Sequence, residues 1–307
     1  MLKFLNRKAV SNNEAFAPGL SDLVSGYSIE VVPRTAAKVE SFAELLPDGT
    51  RVYIAHIEGT PIEQMVATAR RLADEGYAAM PHFPARIIEN SAMLEDWIKR
   101  YHDEAGVTQA LVLAGGRTAP IGAFDSSMAL LETGLFDKHG FRRLHVAGHP
   151  EGNRDIDADG TNRQVDAALR WKQAFSSRTD AEMAIVTQFV FDAEPVITWV
   201  GRLREMGVTL PVHIGVAGPA KLQTLIKFAL ACGVGPSLKV LQKRAMDVTK
   251  LMIHYEPTGV LSALAAHQAS DPESLIEQVH FFPLGGIKAS AEWANAHGGV
   301  IRSAGAA

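Results

Sequence analysis

The feature that most constrains the fold is an alternation of short apolar runs with longer helical segments along nearly the whole chain. Eight runs rich in β-branched and apolar residues have the length and composition of strands. They are Ser28–Val32, Val52–Ile57, Tyr77–Phe83, Gln109–Gly115, Arg143–Gly148, Met183–Phe189, Pro211–Val216 and Val279–Leu284. Several of these runs are continuous rather than alternating, which is typical of parallel strands buried on both faces.

The segments between the runs have helical periodicity, and together the two patterns predict an α/β fold. Predicted helices include Ser126–Phe136, Ala220–Cys232, Ser237–Met246 and Thr249–His267. Strands and helices in this order indicate a (β/α)8 TIM barrel in a single domain. A doubly wound open sheet is the alternative, because a sequence does not show whether a sheet closes.

The predicted domain organisation is simple. A length of 307 residues suits one such barrel, and no long polar linker divides the chain. Residues 1–25, with many turn-forming residues, are expected to be a flexible or surface-docked arm, and residues 26–307 the catalytic barrel.

Composition limits the classes of partner. A formal net charge of −4 with scattered basic residues argues against a nucleic-acid binder. The sequence has no secretory signal and no long apolar window, so neither export nor a membrane span is expected. The single cysteine, Cys232, fits a buried core residue in a reducing compartment. We therefore expect a cytoplasmic protein, and a homo-oligomer is compatible with the sequence.

Glu30 is the most informative single residue. In a barrel, catalytic groups come from the C-terminal ends of the strands, and Glu30 lies in the first apolar run. Burial raises the pKa of a carboxyl group, which is one way to make a general acid at neutral pH. The alternative is a structural glutamate paired with a nearby arginine, such as Arg34.

Other polar residues also end predicted strands. The amide of Gln188 needs partners for two donors and two acceptors, which a planar heterocycle or a structural network supplies. His56, His82 and His149 end three strands and, with His213, raise the question of a metal site. The sequence has no close histidine pair or cysteine pair to support one, so we expect no metal and instead contacts with a substrate or cofactor.

Seven segments, in order along nearly the whole chain, resemble the methylenetetrahydrofolate reductase family. They are SIEVVPR (Ser28–Arg34), MPHF around His82, LVLAGG (Leu111–Gly116), VAGHPEG (Val146–Gly152), LRWKQAF (Leu169–Phe175), VTQFVFD (Val186–Asp192) and VHFFPL (Val279–Leu284). The resemblance implies interconversion of 5,10-methylenetetrahydrofolate and 5-methyltetrahydrofolate by hydride transfer, with FAD and NAD(P)H as cofactors.

The resemblance also implies roles for individual residues. Glu30 would be the general acid that protonates the folate. The residues implied to bind the folate are Gln188, Phe189, Leu284 and Lys288. The residues implied to contact the cofactor are His56, His82, Ala114, Gly115, Gly116, His149 and Lys172.

This chain departs from the family pattern in the flavin half of the site. Where the family has Arg-Gly-Asp, the chain has Ala114, Gly115 and Gly116, and His149 replaces a tyrosine. The arginine expected near Gly286 is absent, so Lys288 is the substitute cation for the folate tail. Two alternatives follow: a flavin-free reductase that uses NAD(P)H directly, and a pterin-binding barrel of the methyltransferase type without redox chemistry.

Overall fold

A computed structural model of the chain describes residues 19–231 and 254–299. Eight parallel strands form a closed barrel: β1 (Ser28–Val31), β2 (Arg51–Ile54), β3 (Ala78–Pro84), β4 (Gln109–Leu113), β5 (Arg143–Gly148), β6 (Glu182–Thr187), β7 (Val212–Ala217) and β10 (Ile276–Phe282). Their order around the barrel is β1-β10-β7-β6-β5-β4-β3-β2. Pairing of β1 with β10 closes the ring and sets Ser28 opposite His280. The predicted single-domain TIM barrel is confirmed.

Helices surround this barrel. Within the described residues they are α1 (Leu20–Val24), α2 (Pro33–Ala36), α3 (Ile62–Asp74), α4 (Ser91–Ala105), α5 (Ser127–Leu131), α6 (Leu135–Lys138), α7 (Arg163–Ser176), α8 (Glu194–Glu205), α9 (Leu222–Ala231), α10 (Thr258–Ser270) and α11 (Ile287–Ala296). Their apolar faces pack on the outward side chains of the strands and form the main hydrophobic core. No helix in the described ranges has the length and apolar character to cross a bilayer.

Two predicted helices differ from the structure for local reasons. Ser126–Phe136 is two short helices, because Gly134 adopts a φ of 67° and interrupts the helical backbone between them. Of the helix predicted for Thr249–His267, the first five residues lie outside the described residues, and the helix in the described part begins at Thr258, after Pro257. Proline lacks the N–H of a helix interior and favours extended backbone in the residue before it.

Extended backbone does precede that proline. His254–Tyr255 (β9) pairs antiparallel with Ala220–Lys221 (β8), which the sequence had suggested was helical. The predicted helix Ser237–Met246 and the core position of Cys232 lie outside the described residues.

The expected arm is also corrected for its last residues. Leu20, Leu23 and Val24 are fully buried in α1, which packs against α10 and β10. These three apolar side chains at helical spacing bury one face against the barrel, so residues 20–24 belong to the folded domain.

Candidate active site

The carboxylate of Glu30 lies inside the C-terminal half of the barrel, between two histidines. Oε2 of Glu30 is 3.3 Å from Nε2 of His82 on β3 and 3.9 Å from Nε2 of His280 on β10. Arg34, the partner suggested by the sequence, is exposed on α2. Glu30 is therefore surrounded by groups that can exchange a proton with it.

His280 is a further residue of this site that the strand pattern and the resemblance of VHFFPL did not single out. Its side chain is fully buried, and its Nδ1 is 2.9 Å from the hydroxyl of Ser28 on the neighbouring strand. This hydrogen bond fixes the imidazole ring so that Nε2 faces Glu30. The signal available in the sequence was a histidine within an apolar strand. A buried histidine rarely lacks a hydrogen-bond partner in a core without water.

The electrostatics of Glu30 correct the prediction of a raised pKa. Burial raises the pKa of this carboxyl group, but its interaction with His280 and the charge of His82 outweigh burial, so the pKa lies below its usual value. Burial lowers the pKa of His82 to about 4, more than the carboxylate of Glu30 raises it. At neutral pH the resting site therefore holds a carboxylate beside a neutral imidazole.

An aromatic wall continues from His280 toward the end of β6. The ring of Phe282 lies 4.8 Å from that of His280 and 5.5 Å from that of Phe189. Phe189 is only 1% exposed and packs in a core cluster, whereas Phe282 is partly exposed. Phe282, rather than the predicted Phe189, is the ring that an incoming ligand can reach.

Gln188 adjoins this wall and is partly exposed. Its Oε1 accepts a hydrogen bond from the backbone N–H of Phe189 at 3.3 Å, which holds the amide near the strand end. Among residues 19–231 and 254–299, the NH2 group of Gln188 meets no hydrogen-bond acceptor and is a candidate donor to a ligand. Leu284 packs partly buried beside the same cluster.

The three residues predicted to contact a cofactor at the end of β4 are accessible. Ala114 and Gly115 are partly exposed and Gly116 is exposed, and a Cβ at Gly116 would meet nothing within 4 Å. The loop that follows is tied down by Arg86, which donates to the carbonyl oxygens of Arg117 and Asp125. This strand end therefore offers open backbone held in a defined position.

His149 and Lys172 lie together beside the end of β5. Nζ of Lys172 donates a hydrogen bond to the carbonyl of Ala147 at 3.1 Å, and burial lowers the pKa of this amine to about 8. Burial, with the nearby charge of Lys172, lowers the pKa of His149 to about 4. A buried ammonium group held by a backbone carbonyl is a candidate ligand for an anion.

The remaining predicted residues make their own contacts away from the carboxylate of Glu30. His56 stacks on Trp97 of α4 with ring centroids 4.8 Å apart, and its Nε2 contacts the carbonyl of Thr60. Lys288 is exposed at the start of α11, with Glu292 one turn away. An exposed lysine beside a glutamate is the least supported of the predicted ligands.

The structure does not gather the four histidines that raised the question of a metal. His213 lies at the N-terminal end of the barrel, where its Nε2 contacts Glu277 at 2.9 Å. Among residues 19–231 and 254–299, no group of three or more histidine, cysteine, aspartate or glutamate side chains is arranged to hold a metal ion.

Comparison with known proteins gives a likeness to a solved structure over most of the chain. No protein-family model matches the sequence. One similar solved structure is the dihydropteroate synthase (FolP) of Thermus thermophilus, with 14% sequence identity and a TM-score of 0.47. The match covers 90% of this chain and 94% of that chain. The membership in a reductase family that the sequence segments suggest stays a prediction.

Proposed function

We propose that this chain binds a reduced folate at the C-terminal end of its barrel. We further propose that it interconverts 5,10-methylenetetrahydrofolate and 5-methyltetrahydrofolate by hydride transfer. The observation that carries the proposal is the carboxylate of Glu30, 3.3 Å from His82 and 3.9 Å from His280, on the face where barrels perform chemistry. The segments that resemble methylenetetrahydrofolate reductases support the same assignment.

The neighbouring side chains suit a pterin. A pterin is planar and has hydrogen-bond donors and acceptors along one edge, which suits the amide of Gln188 at the end of β6 and the partly exposed ring of Phe282. Glu30 would deliver a proton to the bound folate and open its five-membered ring, which prepares the one-carbon unit to accept hydride.

The chain also has residues that fit a flavin. The buried amine of Lys172 and the open backbone of Gly116 would hold the anionic and polar parts of FAD, with Gly115 packed closely on Pro84. When bound, FAD would supply hydride and take it from a nicotinamide cofactor. His82 and His149 would border the flavin as neutral imidazoles, because burial keeps the pKa of each near 4.

The visible spectrum of the purified protein, recorded without oxygen, tests this proposal. We expect a flavin absorption band, present as purified or after FAD is supplied, that bleaches when 5-methyltetrahydrofolate is added. Glu30→Gln should keep the band but bleach about 100-fold more slowly, since it removes the acid–base group and retains the shape.

Other outcomes would redirect the assignment. A protein that binds no flavin, but oxidises 5-methyltetrahydrofolate with NAD(P)+, would support the flavin-free reductase. Loss of the methyl group to an acceptor without any hydride transfer would support the methyltransferase-type barrel. Glu30→Gln bleaching at the wild-type rate would exclude Glu30 as the acid.

A further inference from the structure

The interior of this barrel contains a row of neighbouring polar side chains. A TIM barrel is ordinarily filled by branched apolar residues, but here Ser28, Tyr53, His145 and His280 point inward and are at most 1% exposed. Beyond the bond between Ser28 and His280, the ring of Tyr53 packs against that of His280 with centroids 4.3 Å apart, on the strand next to Ser28. The hydroxyl of Tyr53 lies 2.5 Å from Nδ1 of His145.

This set of side chains connects the two ends of the barrel. At one end, His280 faces the carboxylate of Glu30 at 3.9 Å. At the other end, His145 lines a cavity of about 520 Å³ that opens at the N-terminal face. Most of the residues that line the cavity are polar, and its volume is large enough for many water molecules.

The protonation states of the connecting groups suit proton transfer. Burial, together with the charges of His213, Arg51 and Arg143, holds the pKa of His145 well below its usual value. A neutral imidazole accepts a proton on one ring nitrogen and donates one from the other, and a hydroxyl group does the same through its single oxygen. Each connecting group can therefore both receive and pass on a proton.

We propose that these residues form a proton relay that runs through the barrel from the cavity water to Glu30. The inference rests on the proposed function in one respect, because it takes Glu30 to be the acid that each reductive turnover deprotonates. Glu30 is a carboxylate in the resting site, and a bound substrate would cover the C-terminal end. The relay supplies the proton from the opposite end.

Each transfer moves one proton along one contact. With Glu30 ionised, His280 carries its proton on Nε2, and its Nδ1 accepts a hydrogen bond from the hydroxyl of Ser28. The oxygen of Ser28 in turn accepts the proton of the Tyr53 hydroxyl. The oxygen of Tyr53 accepts a hydrogen bond from Nδ1–H of His145. When a proton binds Nε2 of His145, the Nδ1 proton of His145 moves to Tyr53. The hydroxyl protons of Tyr53 and then Ser28 each move one group further along. The Nε2 proton of His280 finally passes to Glu30. The last transfer requires the contact of 3.9 Å to shorten when substrate binds, as catalytic contacts commonly do. One proton enters, one carboxylate is protonated, and no electron moves.

The relay predicts that the proton position on His145 depends on residue 30 through the hydroxyl of Tyr53. The experiment is nitrogen NMR of histidine-labelled protein at neutral pH, without any folate. In the wild type, His145 should carry its proton on Nδ1. In Glu30→Gln the charge that fixes the direction of the hydrogen bonds is gone, and His145 should shift toward the Nε2 tautomer.

A double-mutant comparison tests whether the hydroxyl of Tyr53 transmits the effect of residue 30 to His145. In Tyr53→Phe, the resonances of His145 should be the same with Glu or Gln at position 30. Ser28→Ala interrupts the same connection and should give the same result. Tyr101→Phe is the matched control, because that buried hydroxyl on α4 has no hydrogen-bond partner among the described residues. A response of His145 that persists without the hydroxyl of Tyr53, or that is absent from the wild type, would overturn the relay.

Turnover gives a second readout once a folate reaction is measured. Tyr53→Phe should lower kcat about tenfold and enlarge the solvent deuterium isotope effect, with KM unchanged, because proton return becomes limiting. An unchanged kcat and isotope effect would contradict the relay. The NMR comparison needs no substrate, so failure of the proposed function and failure of the relay are separate results.

Discussion

Burial acts in opposite directions on the two residues at the centre of the site. It raises the pKa of the carboxyl group of Glu30 and lowers that of the imidazole of His82, since it disfavours the charged form of each. For Glu30 the two histidines reverse the effect, whereas for His82 burial dominates. The site therefore stores its negative charge on Glu30 and keeps His82 neutral.

This state of His82 predicts a pH dependence of stability. The pKa is about 4 in the folded protein and 6.5 for an ordinary histidine, so the unfolded chain binds this proton more readily. Stability from the neutral form is fully present above about pH 6.5 and is lost as the pH falls toward 4. Between pH 7 and pH 5 the free energy of unfolding should fall in both proteins, and the fall should be about 2 kcal/mol smaller in His82→Gln than in the wild type.

Urea unfolding at the two pH values measures this difference. The matched control is His102→Gln, the same substitution at a histidine that is 44% exposed on the surface of α4. An equal pH dependence in the wild type and in His82→Gln would show that His82 is not held neutral by burial.

At the scale of single elements, the packing at the end of β5 requires that residue 148 be glycine. A Cβ at Gly148 would lie 2.4 Å from Cγ2 of Ile185 on β6 and 2.9 Å from Cη2 of Trp199 on α8. Only glycine lets the strand and the helix approach this closely. Because His149 follows directly, the same contact sets the position of a predicted cofactor residue.

Gly148→Ala should therefore destabilise the protein by about 1–3 kcal/mol through overpacking. Gly201→Ala is the matched control on α8, because a Cβ there meets nothing within 4 Å. That substitution should be neutral or stabilise the protein by up to about 1 kcal/mol, since alanine favours a helix more than glycine does. Thermal unfolding of both variants distinguishes close packing from a general effect of alanine; equal midpoints would contradict the packing argument.

At the scale of the whole molecule, α1 packs against elements that come much later in the sequence. Its buried leucines contact α10 and β10, which lie more than 200 positions later in the sequence. Tyr27, just after α1, donates a hydrogen bond to Asn295 of α11 at 3.1 Å and packs edge-on against Phe281. These contacts make α1 part of the cooperative unit.

We expect Leu23→Ala to lower the unfolding free energy by about 2–5 kcal/mol, the usual range for a leucine removed from a core. The loss should shift a single unfolding transition as a whole in a denaturant titration. Ser21→Ala, on the exposed face of the same helix, should leave the transition in place. A wild-type midpoint for Leu23→Ala would mean that α1 is only a surface arm, as the sequence had suggested.

Local sequence patterns determined the succession of elements. The apolar runs predicted all eight barrel strands, because strands buried on both faces need continuous apolar residues. Glu30 could be selected for the same reason, since a carboxyl group inside such a run requires a special environment. The sequence also determines the helix boundaries near Gly134 and Pro257, because the backbone preferences of glycine and proline interrupt a helix.

The tertiary structure alone decided which side chains meet. Ser28 and His280 are 252 positions apart and become neighbours only when β10 pairs with β1 and closes the barrel. That closure sets two imidazoles beside Glu30 and lowers the pKa of a carboxyl group that burial alone would have raised. It also joins Ser28, Tyr53 and His145 through the interior. Strand periodicity states which residues face inward, but closure and strand register determine their partners, and the partners determine the chemistry.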